Sequence, residues 1–129
     1  MAKEPFVYTL KHKVLSVQST TANIPNHGVT RLTALSTYTL DAPVAGTVKT
    51  IYRAASMSTA ASVVNAGSGV SFNSAGGTQV LLLQPTTVGG GADLSVTLLG
   101  ESSTQWRIIG SYPPATPADS TSAGIRVTT

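Results

Sequence analysis

The sequence predicts an all-β protein, an antiparallel β-sandwich or a jelly-roll-like barrel with extended N- and C-terminal segments. Two observations carry that expectation. Short runs in which apolar and polar residues alternate recur from Val48 to Ile109, separated by Gly, Asn, Ser and Asp, as in consecutive strands joined by tight turns. Composition agrees: charged residues are 10% of the chain against 41% hydrophobic, and Ser and Thr supply about a quarter of all positions. An ordinary soluble domain carries about 25% charge, so the outward faces of these strands are hydroxylated rather than ionic.

Taken in order, Phe6–Leu10 and Val14–Val17 alternate as strands with one buried face, and Pro5 belongs at a strand start or on an edge. Thr20–Gly28 is a loop punctuated by Pro25 and Gly28. Val29–Leu40 reads as strand; the spacing of Val29, Leu32 and Leu35 also permits a helical turn, but its Thr and Ser weigh against one. Asp41-Ala42-Pro43 is a turn, and Val44–Tyr52 opens the central stretch. Ala54–Ala61 is a short helix or a loop. Asn65–Gly69 and Asn73–Gly77 turn the chain, Gly89–Gly91 is a loop tip, and Gly100–Thr104 is a hairpin turn before Gln105–Ile109. From Pro113 the chain is rich in Pro, Ser and Thr and stiff at its start. Alternation returns at Ile125–Thr129. The organisation expected is a terminal segment 1–20, a sandwich core 21–111 and a C-terminal arm 112–129. The arm is either a strand that adds to a neighbouring subunit's sheet or a disordered tail.

Length and charge narrow the functional classes. The chain has 129 residues, one domain's worth. Its net charge of +3 comes from scattered Lys and Arg, with only Lys11 and Lys13 close together, so specific nucleic-acid binding is not expected. Without Cys there is neither a disulfide framework nor a thiolate metal site. No apolar run reaches the ~18 residues of a membrane span. The first residues lack a signal peptide's apolar stretch, so a soluble product made in the cytoplasm is expected.

Chemistry-bearing groups are sparse. The carboxylates Glu4, Asp41, Asp93, Glu101 and Asp119 fall in turns or tails, with no pair close in sequence. His12 and His27 lack ligand spacing; they read as an exposed strand residue and a turn residue. Gly67-Ser68-Gly69 and Gly89-Gly90-Gly91 lack the Lys of a phosphate loop and read as turns. Trp106 stands among alternating apolars as a core residue. The expectation is therefore a protein that is not an enzyme and uses no cofactor or metal.

The central stretch carries Val64-Asn65-Ala66-Gly67-Ser68-Gly69-Val70-Ser71-Phe72-Asn73, then Ser95-Val96-Thr97-Leu98-Leu99-Gly100, then Trp106-Arg107-Ile108-Ile109. From Pro43 to Ser111 it resembles a β-module of tailed-bacteriophage structural proteins: capsid decoration proteins, head fibres and tail-fibre segments. The resemblance rests on turn glycines and core apolars and leaves both ends of the chain uncovered. It implies a virion structural protein, a decoration (cement) protein that binds the outside of a phage head. The major capsid protein would be its partner, a homotrimer its form and the capsid surface its location, with no membrane involved.

Candidate contact residues toward the capsid or a neighbouring subunit are Phe6, Tyr8, Leu10, Tyr112, Pro113, Pro114, Ile125 and Val127. Removal of Pro113–Thr129 is expected to leave a folded core. A second reading is a receptor- or glycan-binding module of a phage tail or head fibre, using the turns Val88–Asp93 and Glu101–Gln105. A third is a small hydrolase with Asp93 and Glu101 as its acids.

Overall fold

The computed structural model describes residues 15–18, 23–54, 60–72, 79–84, 93–112 and 124–128. They form eleven strands and, among the described residues, no helix: β1 (Leu15–Gln18), β2 (Asn23–Ile24), β3 (Gly28–Leu32), β4 (Thr37–Leu40), β5 (Val48–Arg53), β6 (Ser62–Asn65), β7 (Ser71–Phe72), β8 (Val80–Gln84), β9 (Leu94–Ser102), β10 (Gln105–Tyr112) and β11 (Gly124–Thr128). A six-stranded sheet, β1-β3-β5-β9-β10-β7, and a five-stranded sheet, β11-β8-β6-β4-β2, enclose one core. The fold is thus an all-β sandwich of two open sheets.

The pairing differs from the antiparallel expectation. Five of the nine strand pairs are parallel. From β1 to β6 the chain changes sheet at every step, and each returning strand lies parallel beside its predecessor in that sheet. Parallel neighbours need a crossover, and here each crossover is itself a strand of the opposite sheet. The expected strand Val29–Leu40 is therefore two, with the chain crossing at Thr33–Ser36. Hydrogen bonds fasten these corners: Tyr38 Oη donates to the Ala34 carbonyl at 2.6 Å, Asn26 Nδ2 to the Ala42 carbonyl at 2.8 Å, and the Asp41 amide to the Ile24 carbonyl at 2.9 Å. Among the described connections the only hairpin within a sheet is β9–β10, turned by Ser103-Thr104. We refer to that side of the sandwich as the hairpin end, and to the other, where β5 finishes, as the Arg53 end.

Period-two burial builds the core. Leu94, Val96, Leu98 and Gly100 face inward from β9, and Leu81 and Leu83 do so from β8. Trp106 and Phe72, register partners on β10 and β7, are fully buried, as expected for Trp106. Each such large apolar side chain contributes roughly 1.5–3 kcal/mol. β5 departs from this pattern: its inward positions are Lys49, Ile51 and Arg53.

Two glycines permit a close approach at the hairpin end. Val44–Thr47 is a turn closed by the Thr47 amide on the Val44 carbonyl at 3.0 Å, with Gly46 at φ +86 in its third position, where an L side chain is strained. The turn lies against β9 through two 2.8 Å bonds, Gly46 amide to Gly100 carbonyl and Gly100 amide to Thr47 carbonyl. A Cβ at Gly100 would overlap the Val44 carbonyl. Gly100→Ala should therefore destabilise the protein by about 1–3 kcal/mol, read as a lower urea midpoint.

The C-terminal strand revises the free-arm expectation. β11 pairs with β8 of its own chain over five registered positions, and Ile125 and Val127 lie in the core. The sandwich accordingly extends beyond 21–111, taking in β1 and β11. Deleting residues 124–129 should then cost about 3 kcal/mol or more by loss of two buried side chains, rather than leave the core intact. Thermal unfolding of the truncated chain checks this.

Candidate functional site

The outward face of the six-stranded sheet gathers the exposed side chains that can meet a partner. Outward positions alternate with the core residues: Val29 and Arg31 on β3, Val48, Thr50 and Tyr52 on β5, Ser95, Thr97 and Leu99 on β9. Register places Arg31 beside Tyr52, Tyr52 beside Ser95, and Ser95 beside Tyr112, so these four form one row across the sheet. A second row joins Val29, Thr50 and Thr97; the Thr50 and Thr97 hydroxyls are 3.1 Å apart. A register shift between Ile108 and Gly110 leaves Ile109 bulged out of the ladder beside that row.

The two ends of this face differ in chemistry. Toward the hairpin end a cleft of about 560 Å³ is lined by His27, Gly28, Val29, Gly46, Thr47, Val48 and Thr50; Val48 is 47% exposed there and Val44, in the adjoining turn, 56%, while Ile109 is 54% exposed on β10, beyond β9. Nearby, Arg107 grips Glu101 through two hydrogen bonds, at 2.9 and 3.1 Å, and the carboxylate raises the guanidinium pKa further. At the Arg53 end a cleft of about 300 Å³ is lined by Arg31, Leu32, Thr33, Tyr52, Ala54 and Asp93.

Beneath β5 lie two buried cations. Lys49 Nζ donates to Thr30 Oγ1 at 2.6 Å and to the His27 carbonyl at 3.0 Å. Burial lowers its pKa to about 8, partly offset by the Asp41 charge. Its amine is enclosed and committed to these acceptors, so it acts as a structural donor. Arg53 Nη1 donates to the Ala60 carbonyl at 2.8 Å, Ser62 Oγ at 2.9 Å and the Leu83 carbonyl at 3.2 Å, and burial lowers its pKa too.

Of the contact residues expected from sequence, Tyr112 is 59% exposed at the end of β10. Ile125 and Val127 are in the chain's own core, which removes them from the accessible surface. Phe6, Tyr8, Leu10, Pro113 and Pro114 lie outside the described residues, as do His12, Gly89–Gly91 and most of Ala54–Ala61. His27 is an exposed turn residue and Gly67–Gly69 a turn, as expected.

The turns around Asp93 and Glu101, expected to act together, sit at opposite ends of β9. Eight residues of strand separate them by roughly 27 Å, far beyond the ~5–9.5 Å between the carboxyls of glycosidase pairs. These two acids therefore cannot form one catalytic pair. Among the described residues no group of three or more His, Asp or Glu gathers as a metal site. The Arg31–Tyr52–Asp93 grouping was not anticipated; outward alternation marks Arg31 and Tyr52 separately, but only the parallel β3–β5 pairing makes them neighbours. Comparison with family models, curated proteins and solved structures returned no match for the chain.

The buried amine makes a pH prediction. Between about pH 8 and the ordinary lysine value of 10.5, the unfolded chain keeps a proton that the folded chain has released, so stability rises with pH. Below pH 8 the burial penalty stands in full. Tyr38, its pKa raised above 10.0 mainly by burial, acts oppositely and lowers stability once the unfolded tyrosine ionises. Urea unfolding should show a gain of about 1–2 kcal/mol between pH 7.5 and 10, discounted from the full shift for solvent relaxation. Lys49→Met should abolish that slope.

Proposed function

We propose that the chain is a virion structural protein that decorates the outer surface of a tailed-phage head, binding the major capsid protein as a homotrimer. One observation carries the reading: Val48 stands exposed on the lining of the cleft at the hairpin end, Val44 is exposed in the turn that supplies Gly46 and Thr47 to that lining, and Ile109 is exposed on β10, beyond β9 in the same sheet. The rest of the lining is Val29, hydroxyls of Thr47 and Thr50, backbone of Gly28 and Gly46, and His27. An apolar patch rimmed by polar groups fits a protein surface. The low overall charge and the resemblance of Pro43–Ser111 to phage structural modules point the same way. On this reading the docking surface is the hairpin end of the six-stranded sheet, and repetition over a symmetric shell strengthens individually weak contacts.

Immunogold labelling of purified particles with an antibody to this chain should decorate the head. Label at the tail would favour the receptor-binding reading, and unlabelled particles would reject both. Val48→Glu and Ile109→Glu, each at an exposed position and within about 0.5 kcal/mol of wild-type stability, should lower particle occupancy roughly tenfold or more by desolvating a charge at the contact. Occupancy unchanged in both variants would remove this face from the interface.

A further inference from the structure

We infer that the Arg31–Tyr52–Ser95–Tyr112 row at the Arg53 end docks the proline-rich segment Pro113–Asp119 of a second copy of this chain. The contact gives the proposed homotrimer a joint but does not rest on the capsid reading, whose docking surface is the opposite end of the same face.

The row is a platform for an extended chain lying across the strands. Tyr52 and Tyr112 stand on the outward face with only Ser95, a small side chain, between them, and Arg31 follows Tyr52 on β3. Neighbouring strands lie about 4.8 Å apart, so the two tyrosine positions are roughly 9.6 Å apart and Arg31 is one strand further on. Tyr112 is 59% exposed, and Arg31 is exposed too. Among the described residues no hydrogen bond or ion pair engages the side chains of Arg31, Tyr52 or Tyr112. Asp93, which lines the cleft beside them, is already engaged and forms no ion pair with Arg31.

The chain itself supplies the matching occupant. Pro113-Pro114-Ala115-Thr116-Pro117-Ala118-Asp119 places Pro114 and Pro117 three positions apart, with an acid two positions after the second. One turn of a polyproline II helix is three residues and about 9.3 Å, which sets Pro114 over Tyr112 and Pro117 over Tyr52. Proline rings packed on aromatic side chains are how such segments are recognised. Asp119 then falls about 6 Å beyond Pro117, within reach of the Arg31 guanidinium. The segment also emerges at this end. β10 stops at Tyr112, and β11 starts at Gly124, opposite Gln84 and next to the Leu83 carbonyl that Arg53 binds. Packed sheets lie about 10 Å apart, whereas residues 113–123 can span up to about 36 Å. A second copy is the recipient because the row stands uncovered in the single chain, with Tyr112 and Arg31 exposed. Segment and row are different surfaces, so the contact is head-to-tail, the kind that closes rings.

Sedimentation velocity on the free, full-length chain from micromolar to millimolar concentration tests this, with a synthetic peptide of residues 113–119 as competitor. Expected is concentration-dependent association that the peptide reverses, and that the same peptide with both Pro114 and Pro117 replaced by Ala does not. Tyr52→Ala and Arg31→Glu should each weaken association roughly tenfold, with urea midpoints matching wild type. Arg31→Glu combined with Asp119→Arg should restore it. A chain that stays monomeric throughout, as docking of the segment on its own copy would leave it, would overturn the assignment. So would association that survives Tyr52→Ala, or that the reversed charge pair fails to restore. Particle occupancy of Val48→Glu is a separate measurement, so the capsid reading stands or falls apart from this one.

Discussion

The arrangement depends on one strand that points two cations into the core. Along β5 the inward sequence is Lys49, Ile51, Arg53, and a buried charge is tolerated only where oxygens surround it. Neutral oxygens do this work here. Lys49 is held within the six-stranded sheet's own hairpin end by Thr30 and the His27 carbonyl. Arg53 reaches across to Ser62 on β6 and the Leu83 carbonyl on β8, strands of the opposite sheet. A one-residue slip of β5 would expel both cations and drive Val48, Thr50 and Tyr52 inward. Register and sheet-to-sheet alignment are thereby tied to the same two side chains.

Period-two patterning made the all-β class and much of the core legible: Leu94, Val96, Leu98 and Trp106 are inside, where alternation and the lone Trp pointed. It left strand direction open. A run such as Val48–Arg53 alternates identically whether its neighbours are parallel or antiparallel, so the coiling of β1 to β6 could not be read from it. Hydrophobic alternation also treats Lys49 and Arg53 as outward-facing, and their inward orientation depends on carbonyls contributed by residues up to thirty positions away. The clefts were invisible for the same reason. Arg31, Tyr52 and Asp93 are far apart along the chain and meet only through pairing. Ile125-Arg126-Val127 alternates as a strand does, which left strand and disordered tail both open, and periodicity carries no information on which chain's sheet receives it.

The outward face of the six-stranded sheet divides its chemistry along the strand axis. Val29 and Val48 line the cleft at the hairpin end, with the Arg107–Glu101 pair at that same end, whereas Arg31, Tyr52 and Asp93 line the smaller cleft where β3 and β5 finish. The sheet keeps the two apart, since β3 and β5 contribute to one cleft at their starts and to the other at their ends. Such a scaffold can hold one end against a surface while the other faces solvent, with no hinge required.

The central position of β9 has a consequence for how the chain folds during synthesis. β9 lies between β5 and β10 in its sheet, yet it comes from residues 94–102. As the polypeptide leaves the ribosome from its N-terminus, the coils from β1 to β6 emerge first, and β5 is then an open edge with unpaired backbone groups. Leu94, Val96 and Leu98 arrive on that edge and convert it into the middle of a sheet. β11 closes the other sheet last of all. The nascent chain thus carries a transient, pairing-competent edge through much of its elongation, and its few charges leave little electrostatic repulsion to keep neighbouring nascent chains off it.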